Sequence, residues 1–324
     1  MPVRNVTMSC TGCSGLKQIS LSESYEQPSA FAEVVCTGTT LAIGDSATVV
    51  MGYSDESATM LTGTVKSIQQ ARPDQSYTVT VYDEMVKAVD YFMAADDPES
   101  PFTRENIAAE TLVQDLLAQA GLTSVSLDSP GFTFGVTGPF KLNLQSVWDL
   151  VGFIAGVVGF HIYAQTDGTI RFLYRPPFPV GGDSSERTFE TGNNKDLKLI
   201  RYNRSTENLR NRVVVYGKNP IQAVALAVSP YLPASFYQSA VIAHEMIDTQ
   251  QAADDTAADN LTLLNRLTEN LYITALGKPS IRVRDIVAVS ESFTGLGAGT
   301  LWFVYSAMHR ISRDGYSMEL TLTR

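Results

Sequence analysis

Ile43-Gly-Asp45-Ser-Ala-Thr-Val-Val50 and Val283-Arg-Asp285-Ile-Val-Ala-Val289 are one pattern written near the two ends of the chain. In each, an aspartate turn feeds a run of β-branched residues, the side chains that pack best on a pleated surface. Leu61-Thr-Gly-Thr-Val-Lys-Ser-Ile68 and Tyr77-Thr-Val-Thr-Val81 follow the first. Leu301-Trp-Phe-Val-Tyr-Ser-Ala-Met-His-Arg-Ile311 and Tyr316-Ser-Met-Glu-Leu320 follow the second. The interval from aspartate to tyrosine is 77 − 45 = 32 residues at the front and 316 − 285 = 31 at the back. Three strands in one order at nearly one interval predict a single β-unit used twice. Strand-rich text can also align by coincidence, so strand order in space decides. Two like units per chain have a geometric consequence: a ring of three chains presents six similar units. Such a ring can match a sixfold partner on one side and a threefold partner on the other.

Outward from the echo, the front of the chain reads as strands. Val3–Met8, Lys17–Ser22, Phe31–Cys36 and Ala47–Tyr53 are punctuated by Gly, Ser and Pro. The polar break Ala94–Thr103 marks a boundary. Beyond it, Glu105–Ala120 has helical periodicity with Gly121 as its stop, and a second helix is expected over Gln145–Val158. Asp167-Gly168 between Phe160–Tyr163 and Thr169–Leu173 predicts a hairpin. Pro176–Ser185 reads as a second linker. The last section should hold the strand Leu209–Gly217, a long helix from Gln250 to about Leu271, and strands Ile281–Val289, Leu301–His309 and Tyr316–Leu322.

The chain has 324 residues, 44% hydrophobic and 18% charged, values of a folded chain with a sizeable core. Its net charge of −10 argues against a nucleic-acid grip, which needs clustered Lys and Arg. Acidity suits solubility, and it also suits the wall of a passage from which DNA must be repelled. The start lacks an apolar signal region. The longest apolar run, Leu150–Phe160, is far shorter than the roughly 20 residues of a membrane span and reads as a buried helix. Folding in the cytoplasm is the expectation.

Few residues suggest chemistry. Cys10-Thr-Gly-Cys13 with Cys36 leaves three readings open: a metal site needing a fourth ligand from elsewhere, a disulfide, or plain thiols. His244-Glu-Met-Ile-Asp248 lacks the second imidazole of a zinc-protease helix and reads as an exposed polar stretch. No G-x-S-x-G is present, and His161 and His309 read as strand residues rather than bases. Asp96, Asp97 and Glu99, and Asp254 with Asp255, read as solvated runs. Gly295-Leu-Gly-Ala-Gly299 reads as a flexible loop, because no lysine or helix follows to hold a phosphate. Trp148 and Trp302 fall in segments read as buried. No catalytic or cofactor-binding residue is assigned.

Four stretches in order carry a resemblance: Leu41–Tyr53 with Leu61–Val65, Thr111–Leu122, Ser146–Leu150 with Gly159–Tyr163 and Asp167–Phe172, and Asn208–Gly217 with the terminal strands. Together they resemble the late control protein D-like central hub proteins of phage tail baseplates. That resemblance implies an α+β, mostly β fold. Two related β-barrel-like tube domains at the chain ends, 1–95 and 194–324, the second with the long helix, would flank a mixed helix and hairpin domain at 104–180. It implies a homotrimer forming a pseudo-sixfold ring around a DNA channel. The ring would sit between the hexameric tail tube or distal tail protein and a trimeric spike or tip, among other baseplate proteins and the tape measure. The chain would then be a structural protein of the virion, assembled in the host cytoplasm, not an enzyme. DNA would meet it only in transit, without membrane insertion. No cofactor is expected beyond a structural metal or iron–sulfur cluster at Cys10, Cys13 and Cys36. No fused spike or lysozyme domain is expected, so that a spike would be a separate chain. The alternatives are a tail-delivered cell-wall hydrolase or glycan-binding module, and the equivalent hub of a contractile secretion or bacteriocin particle.

Overall fold

The structure is a computed structural model and describes residues 5–93, 102–142, 144–190, 196–233, 235–291 and 294–324. The acidic run Asp96, Asp97 and Glu99 lies outside these residues. The chain is mostly β. Twelve strands join in one sheet. The front six are β1 (Val6–Cys10), β2 (Gln18–Ser24), β3 (Phe31–Cys36), β4 (Ser46–Tyr53), β5 (Glu56–Ala71) and β6 (Ser76–Asp83). The back six are β7 (Arg187–Glu190), β8 (Leu197–Ser205), β9 (Thr268–Leu276), β10 (Ile286–Glu291), β11 (Leu296–Ser312) and β12 (Gly315–Thr323).

The front six pair in the order β1-β4-β5-β6-β3-β2, and the back six in the order β7-β10-β11-β12-β9-β8. Adding six to each front label gives the back label, so the echo in the sequence is an echo in topology. Details repeat as well. Asp45 Oδ2 accepts from Ala42 N at 2.8 Å, and Asp285 Oδ2 accepts from Arg282 N at 2.6 Å. Gly44 N donates to Val65 O at 2.8 Å, and Arg284 N donates to Val304 O at 2.9 Å. Both long strands carry a bulge just beyond, between Val65 and Ser67 in β5 and between Val304 and Ser306 in β11. One pairing differs: β1 runs antiparallel to β4, whereas β7 runs parallel to β10. The registers place Tyr77 opposite Gln70 and Met318 opposite His309, so the counterpart of Tyr77 is Met318. Tyr316 lies two residues earlier, opposite Ile311, on the stretch by which the second hairpin extends past Arg310–Ser317, the counterpart of Ala71–Ser76.

Neither unit closes into a barrel among the described residues. Instead β2 pairs antiparallel with the far half of β11, Ser24 opposite Ser306 through Gln18 opposite Ser312. The front and back units are thus edge-to-edge halves of one sheet. Their cores meet too, since Ile311 and Tyr316 of the last hairpin pack among Ile19, Leu21, Val34 and Val49 of the front.

The chain between the units, with part of the second half, builds a third core. Helices α2 (Ala109–Gln119) and α3 (Val147–Val157) build it with α4 (Gln250–Leu264) and one side of a three-stranded sheet of Arg212–Tyr216, Gln222–Leu226 and Ser239–Ala243. The helix expected to belong with the last β-unit therefore packs in the middle, carried by an insertion between β8 and β9. The short helix α1 (Val86–Asp90) follows β6 and adds Ala88 to this core. α3 starts on a capping box, with Ser146 Oγ accepting from Asp149 N at 3.1 Å. It takes up most of the longest apolar run and buries Leu150, Val151 and Ile154. No described helix is long and apolar enough to cross a membrane. α4 stops at Leu264, not near Leu271, because Thr268–Leu276 turns to period-two burial as β9.

Candidate assembly surface

The joint between the two units is held by more than its strand ladder. Arg282, on the turn before β10, forms an ion pair with the buried Glu23 of β2. Behind it, His309 Nδ1 lies 2.8 Å from the Tyr316 hydroxyl, both buried. Arg284 occupies the place of Gly44 in the repeat. Gly44 has φ +95° and Arg284 φ +82°, a left-handed conformation that costs a non-glycine residue about 1 kcal/mol or more. The surroundings hold it there. The Arg284 guanidinium lies 3.8 Å over the Tyr163 ring, and its carbonyl accepts from Arg175 Nη2 at 2.7 Å. Burial pushes the Arg284 guanidinium down to about 10. A stack of Tyr25 on His161, centroids 3.9 Å apart, ties the same joint to the middle core.

Among the described residues, two of the edges these units leave open correspond to the two edges joined inside the chain. The far half of β5, residues 67–71, has β6 on one side and no strand on the other among the described residues. Its counterpart in β11 is the half filled by β2. On the opposite rim, β8 pairs among the described residues only with β9. Bare edges of this kind are templates for a further strand. Exposure agrees: Ile43 is 70% exposed, whereas its counterpart Val283 at the closed joint is 4% exposed.

Across β2, β6 and β12 the face turned away from the two β-cores carries hydroxyls, among them Ser20, Ser22, Ser24, Thr78, Thr80 and Thr321. On β3, β12, β8 and β11 this face carries Glu33 and Glu319 against Arg201 and Arg310. These four charges balance, so the acidity of the chain is not concentrated on those strands. A second exposed surface is apolar. Val224, Leu226 and Val241 stand out from the three-stranded sheet, with Val228, Tyr231 and Phe236 nearby. Exposed apolar patches of this kind mark interaction surfaces.

Residues singled out for chemistry fall mostly into structural roles. Asp248 is buried and accepts from Thr137 N at 2.7 Å and Thr137 Oγ1 at 2.9 Å. His244 stacks on Phe153 at 3.9 Å. The stretch read as exposed and polar thus pins a loop to the middle core. Asp254 and Asp255 accept from Gln250 and Gln251 one helical turn earlier. The glycine-rich segment is not a loop, since β11 already begins at Leu296. Trp302 is fully buried and Trp148 partly so. Trp148 lines a cleft of about 790 Å³ whose only carboxylate is Glu26, itself bonded to the Tyr305 hydroxyl. Paired carboxylates across a cleft, as glycoside hydrolysis requires, are absent from it.

The three cysteines do converge, through the two-residue ladder that sets Cys13 opposite Thr39 and Ser14 opposite Gly38, next to Cys36. None is in a disulfide. The Cys13 thiol is pushed down to about 6, first by a hydrogen bond from Cys10 and further by Thr39 and Cys36. Cys10 is pushed up, first by that same bond and then by burial, and burial pushes Cys36 up to about 11. Among the described residues no group of three or more His, Cys, Asp or Glu has the arrangement to hold a metal ion. Cys13, partly exposed and largely thiolate at pH 7, is expected to alkylate at least about tenfold faster than Cys10 or Cys36. Mass mapping after a timed iodoacetamide pulse on the native protein checks this, and equal labelling would contradict it.

A YQBQ-like family model matches residues 183–323, the stretch that holds the second β-unit. No curated protein matches the chain. Among solved structures, the tail protein from Neisseria meningitidis MC58 superposes with a TM-score of 0.73 at 17% identity, covering 99% of this chain and 96% of that one. The prophage MuSo2 43 kDa tail protein from Shewanella oneidensis gives 0.69 at 14% identity, covering 99% and 98%. The E. coli c3393 protein, a type VI secretion system component, gives 0.58 at 11% identity, covering 98% and 76%. The fold is common to all three.

Proposed function

We propose that this chain is the structural hub of a phage tail baseplate or tail tip. Three copies close a pseudo-sixfold ring that joins a hexameric tail tube to a trimeric spike or tip and passes DNA through its lumen. The observation that carries this reading is the repeated strand order, 1-4-5-6-3-2 and 7-10-11-12-9-8, joined edge to edge with complementary edges left open. A whole-length likeness in fold to two tail proteins supports it. The likeness to a type VI secretion component favours, as second reading, the equivalent hub of a contractile secretion particle. The role is mechanical and uses no catalytic residue.

We assign the hydroxyl-lined face of the sheet to the lumen. On those strands its wall is then balanced in charge rather than acidic. DNA slides past it because the face lacks the clustered Lys and Arg that replace phosphate counterions. Light scattering over a range of concentrations is the test. A constant mass of three 35.3 kDa chains, about 106 kDa, is expected. A monomer at every concentration would overturn the ring.

A further inference from the structure

The closed joint inside the chain is a template for the joint between chains. We infer that β8 of one copy adds, antiparallel and in one register, to the far half of β5 in the next copy. This inference rests on the ring reading above and specifies its contact.

The register follows from equivalences already in the fold. The bulges align Ser306 with Ser67, and with it Met308 with Gln69 and Arg310 with Ala71. The ladders β2–β3 and β8–β9 align Ser24 with Ser205, Ser22 with Asn203 and Ser20 with Arg201. Inside the chain, Ser306 faces Ser24, Met308 faces Ser22 and Arg310 faces Ser20. Between chains, Ser67 therefore faces Ser205, Gln69 faces Asn203 and Ala71 faces Arg201. Both segments are solvent-exposed strand whose ladder is filled on one side only. Ile43 sits on the turn that corresponds to the covered turn of the closed joint, and its exposure marks the place where the neighbour's β8 would cover it.

The two joints differ chemically. The internal one carries the Glu23–Arg282 ion pair. The corresponding positions between chains are Arg204 and Ala42, which cannot form it, and Arg204 is engaged with Glu269 of its own chain at 2.8 Å. The joint between chains therefore rests on backbone ladder bonds and short polar side chains, so it opens before the internal one.

Directly opposed residues on antiparallel strands have Cα atoms about 4.5–5.5 Å apart, within disulfide reach, whereas a two-residue slip puts them beyond it. The full-length Gln69→Cys/Asn203→Cys variant, oxidised at the concentration used for light scattering, is expected to give covalent multimers up to three chains. The single variants, which report background from native Cys13, and the slipped pair Gln69→Cys/Arg201→Cys are expected to stay single. A three-chain mass with no cross-link, or with cross-linking only in the slipped pair, would overturn this register and leave the ring standing. A monomeric protein that never cross-links would overturn both.

Discussion

Trp302→Ala is expected to cost about 3–5 kcal/mol of stability, the largest loss among single core truncations in this chain. Trp302 stands on β11 opposite Val287 of β10 and has no exposed surface. Tyr202 of β8 packs edge-on against it, centroids 6.1 Å apart, and the Arg324 guanidinium lies 5.7 Å from its ring. The indole thus joins β10, β8 and the chain end. Truncation would leave a cavity lined by strands that cannot collapse without breaking the ladder. Trp302→Phe separates volume from polarity. The indole N–H has no hydrogen-bond partner in the described structure, so its removal deletes an uncompensated buried donor. The phenylalanine variant is expected to lose about 1 kcal/mol or less. Urea midpoints at constant m check the pair, and equal losses in both would show that the ring volume is not what matters.

His309→Phe is expected to flatten the acid limb of the stability curve. Burial pushes the His309 imidazole down to about 4, with Arg282 acting in the same direction and Glu23 against it. In the unfolded chain it titrates near 6.5. Above that pH neither state is protonated, and as pH falls from about 6.5 to about 4 the unfolded state gains the proton first. Stability is lost across that window by roughly 3 kcal/mol from this one residue. His161, pushed down to about 2 by burial and then by Arg284, acts in the same sense over a wider range. Asp83 and Asp285, each pushed up to about 6 chiefly by burial, act oppositely. Their folded forms hold the proton more tightly, so their contribution is lost as pH rises from about 3.8 through 6. The opposing signs keep the net curve shallow, which is why the comparison must be wild type against His309→Phe at each pH from 7 to 4. A difference between the two curves that does not change with pH would contradict the assignment.

Much of this was legible in the sequence, and the misses have physical causes. The echo around Asp45 and Asp285 was visible because both turns use the same aspartate-to-backbone device. The hairpin around Asp167-Gly168 was visible because only a positive φ closes it, and Gly168 has φ +86°. β8 was not read, because a bulge between Leu197 and Leu199 breaks its period and its open rim carries Arg201 and Arg204. The sequence overstates the length of α4 because Thr268 and Leu271 continue its spacing by chance. The aligned turns pair Gly44 with Arg284, but not the left-handed conformation of Arg284, which propensity does not offer to arginine. The meeting of Cys36 with Cys10 and Cys13 depends on the ladder of Cys13–Ser14 with Gly38–Thr39, a pairing of two residues too short for a local pattern to announce.

The shared joint also sets a timetable for synthesis. β2 leaves the ribosome early, yet Ser306, which pairs with Ser24, is made 306 − 24 = 282 residues later. At usual elongation rates of about 5–20 residues per second, that is a wait of roughly 15–60 s. Throughout it the front core lacks Ile311 and Tyr316. The front unit is therefore finished last, although it is begun first. A chain truncated before Ile311 is expected to carry an unfilled core and a bare β2 edge, the state that cellular proteases recognise. Completion of the last hairpin is thus the step that closes both the sheet and the front core.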